Sequence, residues 1–337
     1  MASKSMKGSL YEHIEEFPEY TPPTSGILSY LPSGLVPYGE LARIEKPPGI
    51  YNLYFPHLFG TLFAACVKDG VTFSAFAYYN FVIFTGSIFV RSAACSWNDF
   101  ADREYDKDVA RCRLRPLARG ALTLLQGHLL TAFCTIISLG CLYLLPENCW
   151  PISVPAILLA AIYPFAKRHT DFPQIILGAS LAIGFSMGIG AIDGAFDHIK
   201  SKNSVQLHYR FAVAAFSLSI FAWNVLIDVV YAQQDVKDDE KAGIKSMAVR
   251  FQHQAKPLLA VFAIIQIASL ITAGVWAEFG IAYNIVTCAI SAFSLFYMLL
   301  TIDLTNPASC AKLFKSGHWI LNLAGAAGLA LEWLHLV

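Results

Sequence analysis

The sequence predicts an all-α membrane protein, a bundle of nine transmembrane helices, and three observations carry that prediction. Of the 337 residues 56% are hydrophobic and only 14% are charged, where an ordinary soluble domain has about a quarter charged. Nine apolar runs, each near the ~20 residues that cross a bilayer, follow one another along the chain. Backbone amides in hydrocarbon must pair within their own segment, so runs of this length and composition become helices and not strands.

The runs cover about 50 to 67, 73 to 96, 126 to 145, 151 to 166, 174 to 193, 210 to 231, 257 to 277, 281 to 301 and 318 to 336. Residues 1–40 hold no such run and are expected to form a flexible cytoplasmic N-terminal tail, leaving 41–337 as a single intramembrane domain. A cytoplasmic N-terminus puts 19 Lys/Arg on that side and four on the other, with only Arg91 inside a span. The positive-inside rule therefore selects that orientation. The tail carries Glu12, Glu15, Glu16 and Glu19 beside Pro18, Pro22 and Pro23, unlike Arg-rich, acid-poor mitochondrial presequences. No short charged-then-apolar signal peptide precedes the first run. The expected home of this multi-pass protein is the endoplasmic reticulum or another internal membrane.

Net charge is zero, and the basic residues lie in loops between spans, so nucleic-acid binding has no support. No obligate protein partner is implied. The eight cysteines (Cys66, Cys95, Cys112, Cys134, Cys141, Cys149, Cys288 and Cys310) form no CxxC pair and are expected to be buried, unpaired thiols. His57, His128, His169 and His198 lack the spacing of a helix-borne transition-metal site, and there is no GxxxxGK[ST] or GxSxG signature.

Polar residues concentrate in two loops, 97 to 125 and 232 to 256. In the first, Asn98-Asp99-Phe-Ala-Asp102-Arg-Glu-Tyr-Asp106 follows the second span without Gly or Pro. At 100° per residue Asp99, Asp102 and Asp106 fall within ~60° of one another on one helical face. In the second, Asp228, Asp235 and Asp239 fall within ~40° by the same arithmetic. Like charges a few ångströms apart repel by ~4 kcal/mol per pair at an effective dielectric of 20, so both stripes call for cations. Oxygen-rich sites with open positions suit Mg²⁺ shared with substrate phosphates. The plainer alternative is two solvated charged loops whose arginines pair with the acids.

Arg111, Arg115 and Arg119 follow the first stripe, and Tyr163-Pro164-Phe-Ala-Lys167-Arg168 ends the fourth span. Phosphate oxygens are what such cations bind best, although snorkelling at a helix end also explains Lys167 and Arg168. Arg91, seven residues before Asn98, lies at a depth where an arginine is functional or paired. It is expected either to recognise a substrate anion, such as the carboxylate of an aromatic acid, or to form an ion pair with one of the aspartates.

At these residues the sequence resembles the UbiA-type intramembrane prenyltransferases, over nearly the whole chain from Leu41 on. Four blocks agree in order and spacing: Arg43-Ile-Glu-Lys46-Pro47-Pro-Gly49; the NDxxDxxxD signature at Asn98 to Asp106, continued by Arg115-Pro116-Leu117; Tyr163 to Gln174, like YPxxKRxTxxPQ; and a second Asp motif from Tyr231 through Asp235, Asp238 and Asp239 to Gly243, Lys245 and Ser246. Cys112 and Ala94 depart from common family versions that have Thr and Gly. The resemblance implies nine helices around a central cavity beneath a cytoplasmic cap. Mg²⁺ would be held by Asn98, Asp99, Asp102, Asp106, Asp235 and Asp239, and the diphosphate by Arg111, Tyr163, Lys167, Arg168 and Lys245. Arg91 would face the acceptor, and Asp235 or Asp228 would take the proton.

Within the family the Tyr163 to Gln174 segment and the acidic tail are similar to fungal enzymes of meroterpenoid biosynthesis, which prenylate phenolic acids or pyrones, commonly from farnesyl diphosphate. The expected partners are thus a prenyl diphosphate, farnesyl foremost, a small aromatic acceptor and the lipid bilayer. Three alternatives stand beside this one: a 4-hydroxybenzoate polyprenyltransferase of ubiquinone synthesis, cyclisation of the prenyl cation without an acceptor, and, from another class, an ion or proton transporter.

Overall fold

A computed structural model of the chain describes residues 19–193 and 204–334. Each apolar run lies on a helix: α1 Pro48–Val67, α2 Phe73–Ala101, α3 Leu124–Tyr143, α4 Cys149–His169, α5 Pro173–Asp193, α6 Ser204–Ala232, α7 Ala255–Ala277, α8 Tyr283–Thr301 and α9 His318–Trp333. No strand occurs among the described residues. Eight helices, α1 to α8, are long and apolar enough to cross a bilayer, so the protein is integral and multi-pass. The ninth differs: α9 has 16 residues, about 24 Å at 1.5 Å per residue, short of a ~30 Å hydrocarbon core. It continues a helical stretch that starts at Pro307 and passes through a π-helical segment, Leu313–Gly317.

Local chemistry sets the helix ends. The Thr123 hydroxyl and the Gln126 amide cap each other's backbone at the start of α3, which moves that helix two residues ahead of its apolar run. Thr72 caps α2 by accepting from the Ala75 N–H at 3.3 Å. α2 outruns its apolar stretch and carries Asn98 and Asp99 in its last turn before breaking at Asp102. Prolines open α1 and α5, where a missing N–H costs nothing.

α1 packs on α5, α6 on α7 and α2 on α3. The first contact depends on glycine, since a Cβ on Gly60 or Gly188 would stand 2.0 or 2.1 Å from the backbone oxygen of Phe185 or His57. Small residues permit such approach between membrane helices, where van der Waals contact drives association. An aromatic core fills the centre, with Phe63 and Phe185 fully buried and Phe185 stacked on Phe216 at 4.8 Å. Leu129, Phe133 and Ile136 on α3 and Phe293, Phe296 and Leu300 on α8 point outward, as a lipid solvent requires. All eight cysteines are free, and six are buried.

Residues 1–18 of the expected tail, like His198, lie outside the described residues. From Tyr20 the chain is tied down: its hydroxyl donates to Glu40 at 2.9 Å, the Arg119 guanidinium stacks 3.7 Å over its ring, and Arg119 pairs with Glu40 at 2.6 Å. The short helix Val36–Leu41 then buries Leu41 against Leu117.

Candidate active site

The first aspartate stripe does not act as one unit. The helix gives way at Asp102 (φ −90°, ψ 1°) and resumes as the turn Arg103–Asp106. Asp99 is 1% exposed, and both its oxygens accept from Arg43 Nη2 at 2.8 Å while Arg115 Nη1 stands 3.2 Å away. Arg115 also donates to both oxygens of Asp106, at 2.9 and 2.8 Å. Asp99, expected among the metal ligands, is thus buried and paired with two arginines, Arg43 and Arg115. Arg115 and Arg119, expected to bind phosphate, are spent on Asp99, Asp106 and Glu40. Asp102 alone turns to the pocket, accepting from Lys167 Nζ at 3.0 Å and Asn98 Nδ2 at 3.2 Å.

The second stripe comes from the end of α6 and the loop beyond. Asp228 accepts from the Tyr163 hydroxyl at 3.3 Å. Asp235 stands at the N-cap position of the helix Val236–Ala242 without a side-chain cap bond; its carboxylate instead takes the Arg111 Nε–H at 2.9 Å, with Arg111 Nη2 on its second oxygen. Arg111 Nη1 reaches the Tyr231 hydroxyl at 2.9 Å, and its guanidinium lies 5.0 Å from that ring. Asp238 accepts from the Ala110 N–H at 3.3 Å, so the two loops are stitched directly together. Asp239 makes no ion pair among the described residues. Burial, helped by the neighbouring charge of Asp235, pushes its carboxyl up to about 7. Burial likewise pushes Asp106 up to about 6, against the pull of Arg115.

Where the two loops meet the end of α4 lies a cavity of about 80 Å³ lined by Asp102, Tyr105, Lys167, Arg168, Gly243 and Ile244. Lys167 Nζ is 5.2 Å from the Tyr163 ring. Arg168 is sandwiched by Tyr105 and Phe165 at 5.0 and 5.3 Å, donates to the Ala101 carbonyl and keeps a buried Nε without a partner. Gly243 adopts φ +72°, and nothing lies within 4 Å of where its Cβ would stand, so its turn both needs glycine and opens on the cavity. The Lys245 N–H bonds the Lys167 carbonyl at 2.8 Å, which brings its backbone to the rim while its side chain is exposed.

The donor set fits a hard divalent cation. No three acidic, His or Cys side chains among the described residues converge on one point. Mg²⁺, however, is usually held by one or two carboxylates together with substrate phosphates, and Asn98, Asp102, Asp235 and Asp239 offer only oxygen.

Arg91 lies apart from the aspartates and makes no ion pair among the described residues. Its buried Nε lacks a partner, and its guanidinium rests on Gly49, where a Cβ would stand 2.3 Å from that nitrogen. Of the groups sequence reasoning missed, Arg43 and Tyr231 were signalled by their places in the first and last motif blocks, whereas Tyr105 carried no signal beyond its place beside Asp106.

The profile of the UbiA prenyltransferase family matches residues 57–324. The prenyltransferase ascA of Acremonium egyptiacum is 38% identical, over 77% of this chain and 75% of its own. The DMOA farnesyltransferase nvfB of Aspergillus novofumigatus is 33% identical over 91% and 94%. The mitochondrial 4-hydroxybenzoate polyprenyltransferase of Schizosaccharomyces pombe is 36% identical over 88% and 80%. Among solved structures, a UbiA homolog from Aeropyrum pernix K1 superposes with a TM-score of 0.67 at 18% identity, covering 86% of this chain and 99% of that one. One from Archaeoglobus fulgidus, bound to GPP and Mg²⁺, gives 0.59 at 17% over 85% and 99%. Fold, paired aspartate loops and sequence agree, and the chain belongs to the UbiA prenyltransferase family, which makes it an enzyme of prenyl transfer and not an ion or proton transporter.

Proposed function

We propose that the protein uses Mg²⁺ to transfer a prenyl group, farnesyl foremost, from its diphosphate to a ring carbon of a polyketide-derived phenolic acid or pyrone in meroterpenoid biosynthesis. One observation carries this reading: both aspartate-bearing loops and the Lys167-Arg168 pair meet at one pocket. The fungal relatives, one of them named a farnesyltransferase, support the donor and the pathway. The membrane proposed is the endoplasmic reticulum or another internal one, with the pocket and the N-terminus on the cytoplasmic side.

Lys167 and the bare Nε of Arg168 grip the diphosphate, and Arg111 and Tyr163 bound it from the α6 side. Asn98, Asp102, Asp235 and Asp239 would hold Mg²⁺, which when bound supplies neutralisation of the charge that grows on the leaving diphosphate. Asp106, salt-bridged to Arg115, supports this set from beside it. As the allylic C–O bond breaks, buried aromatics such as Phe55, Phe185 and Trp223 exclude water and stabilise the cation through their π faces. The acceptor ring carbon then forms the new C–C bond, and its proton leaves to a carboxylate. Asp228, whose neighbour is a neutral phenol, suits that role better than Asp235, which already takes Arg111 N–H donors. Asp228→Asn should keep the fold and diphosphate binding while lowering kcat about 10²–10⁴-fold; unchanged single-turnover rates would remove Asp228 as the base.

Arg91 is assigned the acceptor's carboxylate. Arg91→Ala should raise the acceptor KM about ten-fold or more, as expected for a lost charged hydrogen bond, with the prenyl diphosphate KM nearly unchanged. Gly49→Ala, which drives a methyl into the guanidinium, should do the same; equal effects on both substrates would count against the assignment.

The whole reading is tested by incubating membranes containing the protein with Mg²⁺, C10, C15 and C20 diphosphates and a panel of phenolic acids including 4-hydroxybenzoate. Mass analysis should find C15 adducts that vanish with EDTA. Transfer of longer chains to 4-hydroxybenzoate would favour the ubiquinone-type reaction instead, a product that the fission-yeast relative makes worth seeking. Diphosphate release with a cyclic hydrocarbon and no adduct would favour cyclisation.

A further inference from the structure

A second cavity lies deeper in the bundle, among α1, α6, α7, α8 and α9, and its lining is unusual for the centre of a membrane protein. Asn52, Asn224, Gln266, Thr287 and Asn322 all face it, together with Trp223. Gln266, Asn224 and Asn322 are 6%, 3% and 4% exposed, and Thr287 is fully buried. One end of the amide of Asn52, of Gln266 and of Asn322 has no hydrogen-bond partner. An amide buried without a partner is unfavourable even in a soluble core, and polar groups inside spans mark function. Three such amides from α1, α7 and α9 converging on one space point to a guest that completes them.

The guest's chemistry follows from the walls. No charged residue lines the cavity, so a carboxylate or a phosphate would lack a counter-charge. A prenyl tail would leave the unpartnered ends of Asn52, Gln266 and Asn322 unsatisfied. Neutral hydroxyl or carbonyl oxygens fit, because amides both donate to and accept from them. At about 30 Å³ the space admits about two water-sized groups and no ring. Its position is equally specific: Asn224 is one helical turn deeper on α6 than Asp228, and Asn52 is three residues along α1 from Gly49, on which Arg91 rests.

Building on the aromatic acceptor proposed above, we infer that Gln266, Asn322, Asn52 and Asn224 form a specificity site that reads the acceptor's neutral oxygen substituents. An acceptor ring held between Arg91 and Asp228 directs its hydroxyl or carbonyl groups into this cavity. The four amides thereby select rings that carry a second hydroxyl over analogues with a methyl group in its place. A site built to hydrogen-bond a hydroxyl rejects the analogue lacking it strongly, because its own buried groups are then left unpaired.

The test compares 2,4-dihydroxy-6-methylbenzoate and 2,4-dihydroxybenzoate with 2-hydroxy-4-methylbenzoate, using farnesyl diphosphate and Mg²⁺. Wild type should prefer the dihydroxy acids by about 100-fold in kcat/KM, and Gln266→Met and Asn322→Leu should each shrink that preference at least ten-fold. KM for farnesyl diphosphate should stay within two-fold. Thermal unfolding in detergent distinguishes a structural role: removing an unpaired buried amide should leave Tm unchanged or raise it. An unchanged preference in both variants, a fall in Tm with no change in preference, or a shifted choice among C10, C15 and C20 donors would overturn the inference. No adduct from wild type with any of the three acids or with 4-hydroxybenzoate would overturn the proposed function itself, and that result appears before any variant is made.

Discussion

Asp102→Ala should lower kcat/KM by about 10²–10³-fold, the scale on which a single preorganised charged group contributes to a transition state in a water-poor site. Asp102 is the one carboxylate of its stripe free of arginine, it is 8% exposed, and it contacts both Lys167 and Asn98. Removing it takes away a proposed cation ligand and leaves the Lys167 ammonium without its carboxylate. Lys167→Ala should lower activity on the same scale. Because the two groups act on one pocket, the double variant should lose far less than the product of the single losses. Mg²⁺-dependent diphosphate release, measured at saturating acceptor, reads all three variants. A single variant retaining more than a tenth of wild-type kcat/KM would place the reaction elsewhere.

The bundle was legible because lipid is a demanding solvent. Every apolar run became a helix, and misjudged ends trace to local chemistry, as where Thr123 and Gln126 start α3 early. The last run, 318 to 336, lies on a helical stretch that ends at Trp333 but starts upstream of the run, at Pro307. Hydropathy measures a run's apolarity and not where its helix begins or stops. The site was legible as a set of residues but not as a set of pairings. Asp102 meets Lys167 across 65 positions of sequence, and Asp235 meets Arg111 across 124. Helical arithmetic places Asp99, Asp102 and Asp106 on one face and is silent about which arginine approaches each. Asp99 therefore looked equivalent to Asp102, whereas burial between Arg43 and Arg115 gives it different chemistry. The amide cavity was hidden similarly. Asn52, Asn224, Gln266 and Asn322 each stand alone in an apolar stretch, and only their scarcity there hinted that they belong together.

The largest effect on stability is expected at Arg115. Arg43, Arg115, Asp99 and Asp106 form a buried network of two positive and two negative charges, with contacts of 2.8 to 3.2 Å. Arg115→Ala leaves one negative charge in excess inside it, and breaking a buried pair from one side costs about 3–5 kcal/mol. Reversible unfolding in detergent should show that loss, and a change below ~1 kcal/mol would mean that water already compensates these carboxylates. Adding Asp106→Asn to Arg115→Ala restores neutrality, since Arg43 and Asp99 still face each other at 2.8 Å. Most of the lost stability should return in this double variant. Its activity then separates the two roles open to Asp106: recovery of both properties makes it a structural counter-charge, whereas recovered stability with diphosphate release still about 100-fold down makes it a ligand that Arg115 holds in place.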